Sequence, residues 1–514
     1  MNRGTRPSSG SSPAGRADRR PRYPSLLEID ALAWVLRLSQ EAGWSIKLDQ
    51  IDDSTLDGFA SQGFDWIWLM GVWRRSVASR AVSRSNQVWR VEFEGALPDL
   101  ADADICGSSF AIAAYEVEEA LGGNAALAEF RARLAQRGLR LMLDFVPNHT
   151  ALDHAWVHTN PDFYVQGNED ALAAMPERYR RVETDRGARI LAHGRDPNFP
   201  GWPDTLQLNY ANPALQEAQM SALASVSELC DGLRCDMAML LLPEVFQRSW
   251  GLSPAPFWAG AIAAVRQSHP DFTFLAEAYW DLEWDLQQQG FDYCYDKRLT
   301  DRLRNGDPGA IRAHLGASLD YQDRLARFLE NHDEPRAAAA FAWPQHQAAA
   351  VLAYFAPGLR LFQDGQFDGA RVRLPTHLCR RPIEPRYQHA ANFYDRLLAA
   401  LKGGDAFRNG TWSLIPPQPA WAGNPTSNEF IAYTWCAGEN LSHVVVVNYS
   451  DHQAQCYLPI PFAAPSGNPL RLIDEMGSET YDRDGKTLVN PGLYVDLGPW
   501  GHNLFRLESL KPSI

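Results

Sequence analysis

No stretch of this chain approaches the roughly 18 consecutive apolar residues that a bilayer-spanning helix needs, so no membrane partner is expected. Basic charge is short as well. The 48 Lys and Arg against 62 Asp and Glu leave a formal net charge of −14, which argues against a nucleic-acid or anionic-lipid surface and points to small molecules. Cysteine is scarce and odd in number, seven between Cys106 and Cys456 with no C-x-x-C pair. That pattern suits free thiols in a reducing compartment, and a cytoplasmic protein is expected. No H-x-H or H-E-x-x-H spacing marks a metal-dependent hydrolase, and no internal repeat of about 20 to 50 residues is visible. The first 22 residues are rich in Arg, Ser, Gly and Pro and lack an apolar h-region, so 1–22 is expected to be a disordered tail rather than a secretory signal.

What is present is an ordinary globular composition, 45% hydrophobic and 21% charged over 514 residues, enough for one large domain with one or two smaller ones. Seventeen Trp is a high count, and Trp suits sugar faces as well as cores. Apolar strands alternate with helix-patterned stretches. Ser25 to Leu38 reads as a strand running on into a turn of helix, Asp53 to Gln62 as helix, and Phe64 to Trp73 as a buried strand whose Trp66, Trp68 and Trp73 read as core. Gly122 to Gly138 is an amphipathic helix closing on a glycine cap and leading into the strand Leu139 to Phe145. The rhythm resumes after Pro213 and runs to about Leu401. Strand follows strand through crossover helices, which makes a (β/α)₈ TIM barrel the expected α/β fold, with a doubly wound open sheet as the alternative. Residues 150–213, dense in Asp, Asn, His, Pro and Gly, are too long for a simple loop and are expected to be a small domain inserted after strand 3. The barrel would then comprise 23–149 and 214–404. From 405 to 514 short β runs replace helical periodicity, so a C-terminal antiparallel β-sandwich is expected.

The informative feature is how the strands end. Asp144 closes LMLD and precedes Val146-Pro147-Asn148-His149; Asp236 closes GLRCD; Glu277 follows FLA; His332 and Asp333 follow FLEN. A carboxylate at the end of an apolar strand is costly unless it is paired or used, and in a parallel barrel these ends share the catalytic face. Arg234 stands two residues before Asp236, on the same strand face, where its guanidinium would hold the carboxylate charged and aimed. A structural ion pair is the competing reading for this pair taken alone. Four such ends converging on one pocket would meet the needs of glycosidic-bond cleavage, which takes one ionised and one protonated carboxyl about 5–5.5 Å apart in the retaining version.

These motifs resemble those of the α-amylase clan, glycoside hydrolase family 13. The first signature stands as Asp144-Phe145-Val146-Pro147-Asn148-His149, the second as Gly232-Leu233-Arg234-Cys235-Asp236, the third as Glu277 in FLAEAYW, and the fourth as Asn331-His332-Asp333. A fifth, Gln207-Leu208-Asn209-Tyr210, also matches. The resemblance covers roughly residues 25 to 510. It implies that Asp236 is the nucleophile, Glu277 the general acid and base, and Asp333 the transition-state stabiliser. Arg234, His149, His332 and Asp144 would serve substrate binding around them, with Asp144 more a partner of Arg234 than a catalyst. Phe110 lies where many relatives carry a Tyr stacking on the sugar; Trp280, like Trp284, is a candidate sugar platform. An oligosaccharide substrate, an α-glucan, is implied, and no organic cofactor. Calcium is left open, because Asn148 matches a family calcium ligand while other members with this motif lack the metal. One departure stands out: a Lys-His pair that many starch-degrading relatives carry after the nucleophile reads Met239-Leu240 here. That favours transglycosylation, debranching or a narrow oligosaccharide specificity over an ordinary endo-amylase. A non-catalytic sugar-binding barrel would be expected to lack one of Asp236, Glu277 and Asp333, and all three are present.

Overall fold

A computed structural model of the protein describes residues 21–460 and 468–510; the tail expected over 1–22 lies outside the described residues except for Pro21 and Arg22. Eight short strands form the centre: β1 Ser25–Asp30, β2 Trp66–Met70, β3 Arg140–Phe145, β4 Gly232–Cys235, β5 Thr273–Ala276, β6 Tyr293–Tyr295, β7 Leu325–Arg327 and β8 Leu359–Gln363. All neighbours pair in parallel, and β8 pairs with β1 to close the ring. The lumen is filled rather than hollow. Leu26, Trp66, Trp68, Met142, Leu275 and Leu361 pack inside it at 4% exposure or less, so two of the three early Trp residues point into the barrel centre. Gly232 makes room for this: a Cβ there would sit 2.8 Å from the Thr273 carbonyl and 3.1 Å from the Trp66 ring.

The first strand is shorter than its apolar run suggests. Asp30 ends it by capping the helix Ala31–Ala42, its carboxylate accepting from the Ala33 N–H at 2.9 Å. Of the run Ser25 to Leu38, only the first six residues are therefore strand. The helix before β3 spans Gly123–Ala135, and Gly138 takes a left-handed φ of 74° before the chain enters the strand.

Three long excursions rise from the carboxyl ends of the strands. After β2, residues 73–121 carry the helices Val77–Ser85 and Gln87–Ala96 and the strand Ile112–Val117. After β3, the chain forms two small antiparallel ribbons, His149–Ala151 with Thr205–Gln207 and Tyr179–Val182 with Arg189–Ala192. After β8, residues 364–387 form a loop that joins the first excursion through an antiparallel bridge between Ile105 and Leu378.

The C-terminal part holds a six-stranded antiparallel sheet and a three-stranded one. The barrel helix Trp343–Tyr354 is buried on every side from Ala348 to Tyr354, as an all-apolar helix must be. The six-stranded sheet covers its outer face. Tyr433 donates its hydroxyl to the Val351 and Leu352 carbonyls at 3.2 and 3.1 Å, and Trp435 Nε1 donates to Phe355 O at 2.8 Å. All seven cysteines are unpaired thiols, and among the described residues no helix is long and apolar enough to cross a membrane.

Candidate active site

The buried guanidinium of Arg234, fully inaccessible on β4, is the hub of the carboxyl-end face. Its Nη1 lies 2.8 Å from Asp236 Oδ1 and its Nη2 lies 2.7 Å from Glu277 Oε2. The in-register pairing of β4 with β5 puts the two carboxyls one guanidinium apart, because the Glu277 N–H bonds the Cys235 carbonyl at 3.0 Å. The rings of Phe110, Trp68 and Tyr295 surround the guanidinium at 5.1, 5.4 and 5.7 Å from centroid to Cζ. Such a charge is tolerable in the interior only with these partners.

Asp144 is the expected partner of Arg234, an ion pair at 3.7 Å rather than a hydrogen bond. It accepts instead from the Gly71 N–H at 3.0 Å and from Trp68 Nε1 at 3.2 Å. Burial pushes its carboxyl up to about 6, against the pull of Arg234. Asp144 thus ties β3 to β2 beneath the site, and Glu277 is a further carboxyl at Arg234.

Glu277 is 2% exposed. Burial raises its pKa from 4.5 to about 7; Asp236 and Asp333 reinforce the rise, while Arg234 and the Met237 N–H oppose it. Met237 adopts φ 41° immediately after Asp236, and its N–H meets Glu277 Oε2 at 2.6 Å. The Tyr279 hydroxyl donates to Oε1 at 3.0 Å. The site therefore holds one carboxyl ready to carry a proton near neutrality, the condition for a general acid.

Asp333 differs from both. Its side chain is 42% exposed, and His332 Nε2 stands 3.1 Å from its Oδ2. Partial desolvation works against ionisation there, but the His332 imidazolium outweighs it and carries the carboxyl down to about 2. His149 is buried at 4% exposure; burial lowers its pKa, which keeps it neutral, and its ring packs 5.1 Å from Trp202 of the insert. Phe110 lies 5.1 Å from the His332 ring as well as over Arg234.

The structure thus brings Asp236, Glu277, Asp333, Arg234, Asp144, His332, His149 and Phe110 to one face. Trp280 stands three residues past Glu277, 37% exposed, in a left-handed conformation with φ 64°. A bulky residue there is strained, and such strain clusters at functional sites. Trp284 is turned away: its ring is 6.4 Å from Tyr321, on the turn that enters β7 from the opposite end of the barrel. Asn148 does not face an open cation cage. Its amide and that of Gln207 clasp each other, at 2.9 Å from Gln207 Nε2 to Asn148 Oδ1 and 3.2 Å in return. Among the described residues no group of three or more His, Cys, Asp or Glu could hold a metal ion. Tyr279, Tyr295 and Glu28 also belong to the site and were missed from the sequence; only Glu28, a carboxylate inside an apolar strand, carried a usable signal.

Residues 56–288 match the family model described as alpha amylase, catalytic domain, a span that takes in Asp236 and Glu277 and stops before Asp333. This part of the barrel is similar to the α-amylase family. The α-amylase MalA of Haloarcula japonica is 26% identical over 267 residues, covering 50% of this chain and 36% of that protein. An α-1,4-glucan:maltose-1-phosphate maltosyltransferase of Arcanobacterium haemolyticum is 24% identical over 498 residues, covering 90% of this chain and 64% of the relative. The chain thus matches from about one third to just under two thirds of the length of these curated relatives. A maltogenic α-amylase of Thermotoga neapolitana shares the fold with a TM-score of 0.66 at 17% identity, covering 95% of this chain and 99% of that one. The α-amylase of Geobacillus thermoleovorans, complexed with acarbose, also reaches 0.66, at 16% identity and covering 96% and 100%. At these identities the α-amylase-family structures speak for the fold.

Proposed function

We propose that this protein is a retaining α-glycosidase that cleaves α-glucosidic bonds of malto-oligosaccharides or related α-glucans by double displacement. The observation that carries the reading is the division of labour among three carboxyls: Asp236 bound to Arg234, Glu277 raised to about 7, and Asp333 lowered to about 2. Glu277 gives its proton to the glycosidic oxygen as the Asp236 carboxylate attacks the anomeric carbon, so the leaving glycan departs as an alcohol and a glycosyl ester remains. Glu277, now ionised, takes a proton from water, whose oxygen attacks the same carbon and frees Asp236. Asp333 is open to the sugar hydroxyls and stabilises the oxocarbenium-like transition states. Carboxyl groups do all of this, without an organic cofactor. Seven unpaired thiols suit a cytoplasmic enzyme.

Glycosyl transfer is the second reading. Met239 and Leu240 are buried at 0% and 3%, so no polar side chain grips the leaving sugar at these positions, and a relative that covers 90% of this chain is named as a maltosyltransferase. The two readings share the first half-reaction and part at the acceptor. Product analysis on maltoheptaose, beside the Asp236→Asn variant, tests both. Shorter sugars only, with none from the variant, mean hydrolysis; products longer than the substrate mean transfer. Equal turnover by both proteins refutes the mechanism.

A further inference from the structure

Glu28 is a buried carboxylate to which the proposed chemistry gives no part. It lies on β1, two residues after the lumen residue Leu26, and is 1% exposed. Its Oε1 stands 2.5 Å from His332 Nδ1, while His332 Nε2 is 3.1 Å from Asp333 Oδ2, an ion-pair distance without hydrogen-bond geometry. Its other oxygen, Oε2, has no hydrogen-bond partner. The His332 ring is fixed in its plane between the edge contact of Trp68 at 5.6 Å and the tilted face of Phe110 at 5.1 Å.

An imidazole between two carboxylates can serve both only if both ring nitrogens carry protons, because a neutral ring has one N–H. Deprotonated at either nitrogen, it would set a lone pair against a carboxylate lone pair. We propose that Glu28 is a positioning residue of the active centre: it fixes His332 as an imidazolium, and through His332 it holds the Asp333 carboxylate aimed at the sugar. The inference rests on the reading above in giving Asp333 a part in the reaction.

The surroundings favour this state. Asp333 and Glu28 raise the His332 pKa well above 6.5 in spite of its burial. The other charged groups nearby are Asp144 on β3 and Asp30 at the end of β1, which His332 in turn affects, with Arg75 and Arg381 acting on Asp30 and Arg373 on Asp333. The cation of Arg234 is screened by the Phe110 ring and committed to Asp236 and Glu277. Tyr295 on β6 is held neutral by burial, and Glu330, before His332, pairs with Arg336.

Glu28→Gln tests the role, since it keeps the shape and one acceptor while removing the charge. His332 in the variant loses a proton as pH rises, and Asp333 loses its counter-charge. The ratio of variant to wild-type kcat is expected to stay within about threefold at pH 5. It should then fall by up to about tenfold per pH unit once His332 becomes neutral, with KM little changed and Glu28→Asp recovering part of the loss. A second readout does not need activity: in protein labelled in its histidine rings, NMR should show His332, identified by loss of its signal in His332→Asn, as an imidazolium in the wild type at pH 8 and neutral there in Glu28→Gln. A kcat ratio that does not change with pH overturns the proposal, and so does a wild-type His332 that titrates near 6.5. Absence of turnover on any glucan, with the NMR result as expected, would sink the glycosidase reading but leave the Glu28–His332 coupling standing.

Discussion

Glu277 should make the folded protein less stable as pH rises, and Glu277→Gln should remove that penalty. The folded-state pKa of about 7 lies above the ordinary 4.5, so folding binds a proton at this site. Below pH 4.5 both states are protonated and no penalty exists. Between 4.5 and 7 the unfolded chain ionises while the folded one keeps its proton, and stability falls; above 7 the penalty is complete. The gap from 4.5 to about 7 corresponds to about 3 kcal/mol, at about 1.4 kcal/mol per pK unit. Glutamine carries no such penalty, whatever constant cost follows from its weaker bond to Arg234. Urea unfolding of both proteins at pH 5 and pH 8 isolates the effect, because the constant cost cancels in the difference between the two pH values. The stability of Glu277→Gln relative to wild type should rise by about 2–3 kcal/mol from pH 5 to pH 8. A relative stability that stays flat or falls would show that Glu277 ionises in the usual carboxylate range, and the site would lose its proton donor. The same titration places the alkaline limb of wild-type kcat/KM near pH 7, whereas Asp333, lowered to about 2, sets no limit above that value.

Arg234→Lys keeps a positive charge but cannot reach Asp236 and Glu277 with two nitrogens at once, so one carboxylate is left buried without its cation. A loss of about 3 kcal/mol or more in unfolding free energy is expected, and a loss below about 1 kcal/mol would show that the bridge is not what holds the two acids. Trp280→Gly should relieve the left-handed strain, worth about 1–2 kcal/mol, so stability should hold or rise slightly in a thermal scan. KM for maltoheptaose should increase severalfold through loss of the ring, and an unchanged KM would remove Trp280 from the sugar site.

Strands β3, β4 and β5 were legible because each is a short, mostly apolar run closed by an acid, with only Arg234 interrupting β4, and pairing on both sides favours that composition. β6 and β7 are shorter than their runs suggest. Phe291, Phe328 and Leu329 are as buried as strand residues yet lie outside the ladder, and a hydrophobic run reports burial rather than pairing. The excursion 73–121 and the loop 364–387 left no readable pattern. Their association rests on contacts such as Trp89 with His377, whose rings are 4.3 Å apart, and such contacts have no local periodicity.

The site shows the same division between local and distant information. Arg234 and Asp236 could be paired from sequence because a strand fixes the relation of residues two apart. That Arg234 also holds Glu277 depends on the register of β4 against β5, which no local pattern carries. Glu28 was open to the argument applied to the other four strands, since an acid inside SLLEID is as costly as one at the end of LMLD. It was passed over because its partner is 304 positions away and its strand ends two residues later at Asp30, where the cap of the next helix already accounts for an acid. A carboxylate that interrupts an apolar barrel strand therefore calls for a buried cation on the facing strand ends, and His332, between two strand-end acids, supplies it here.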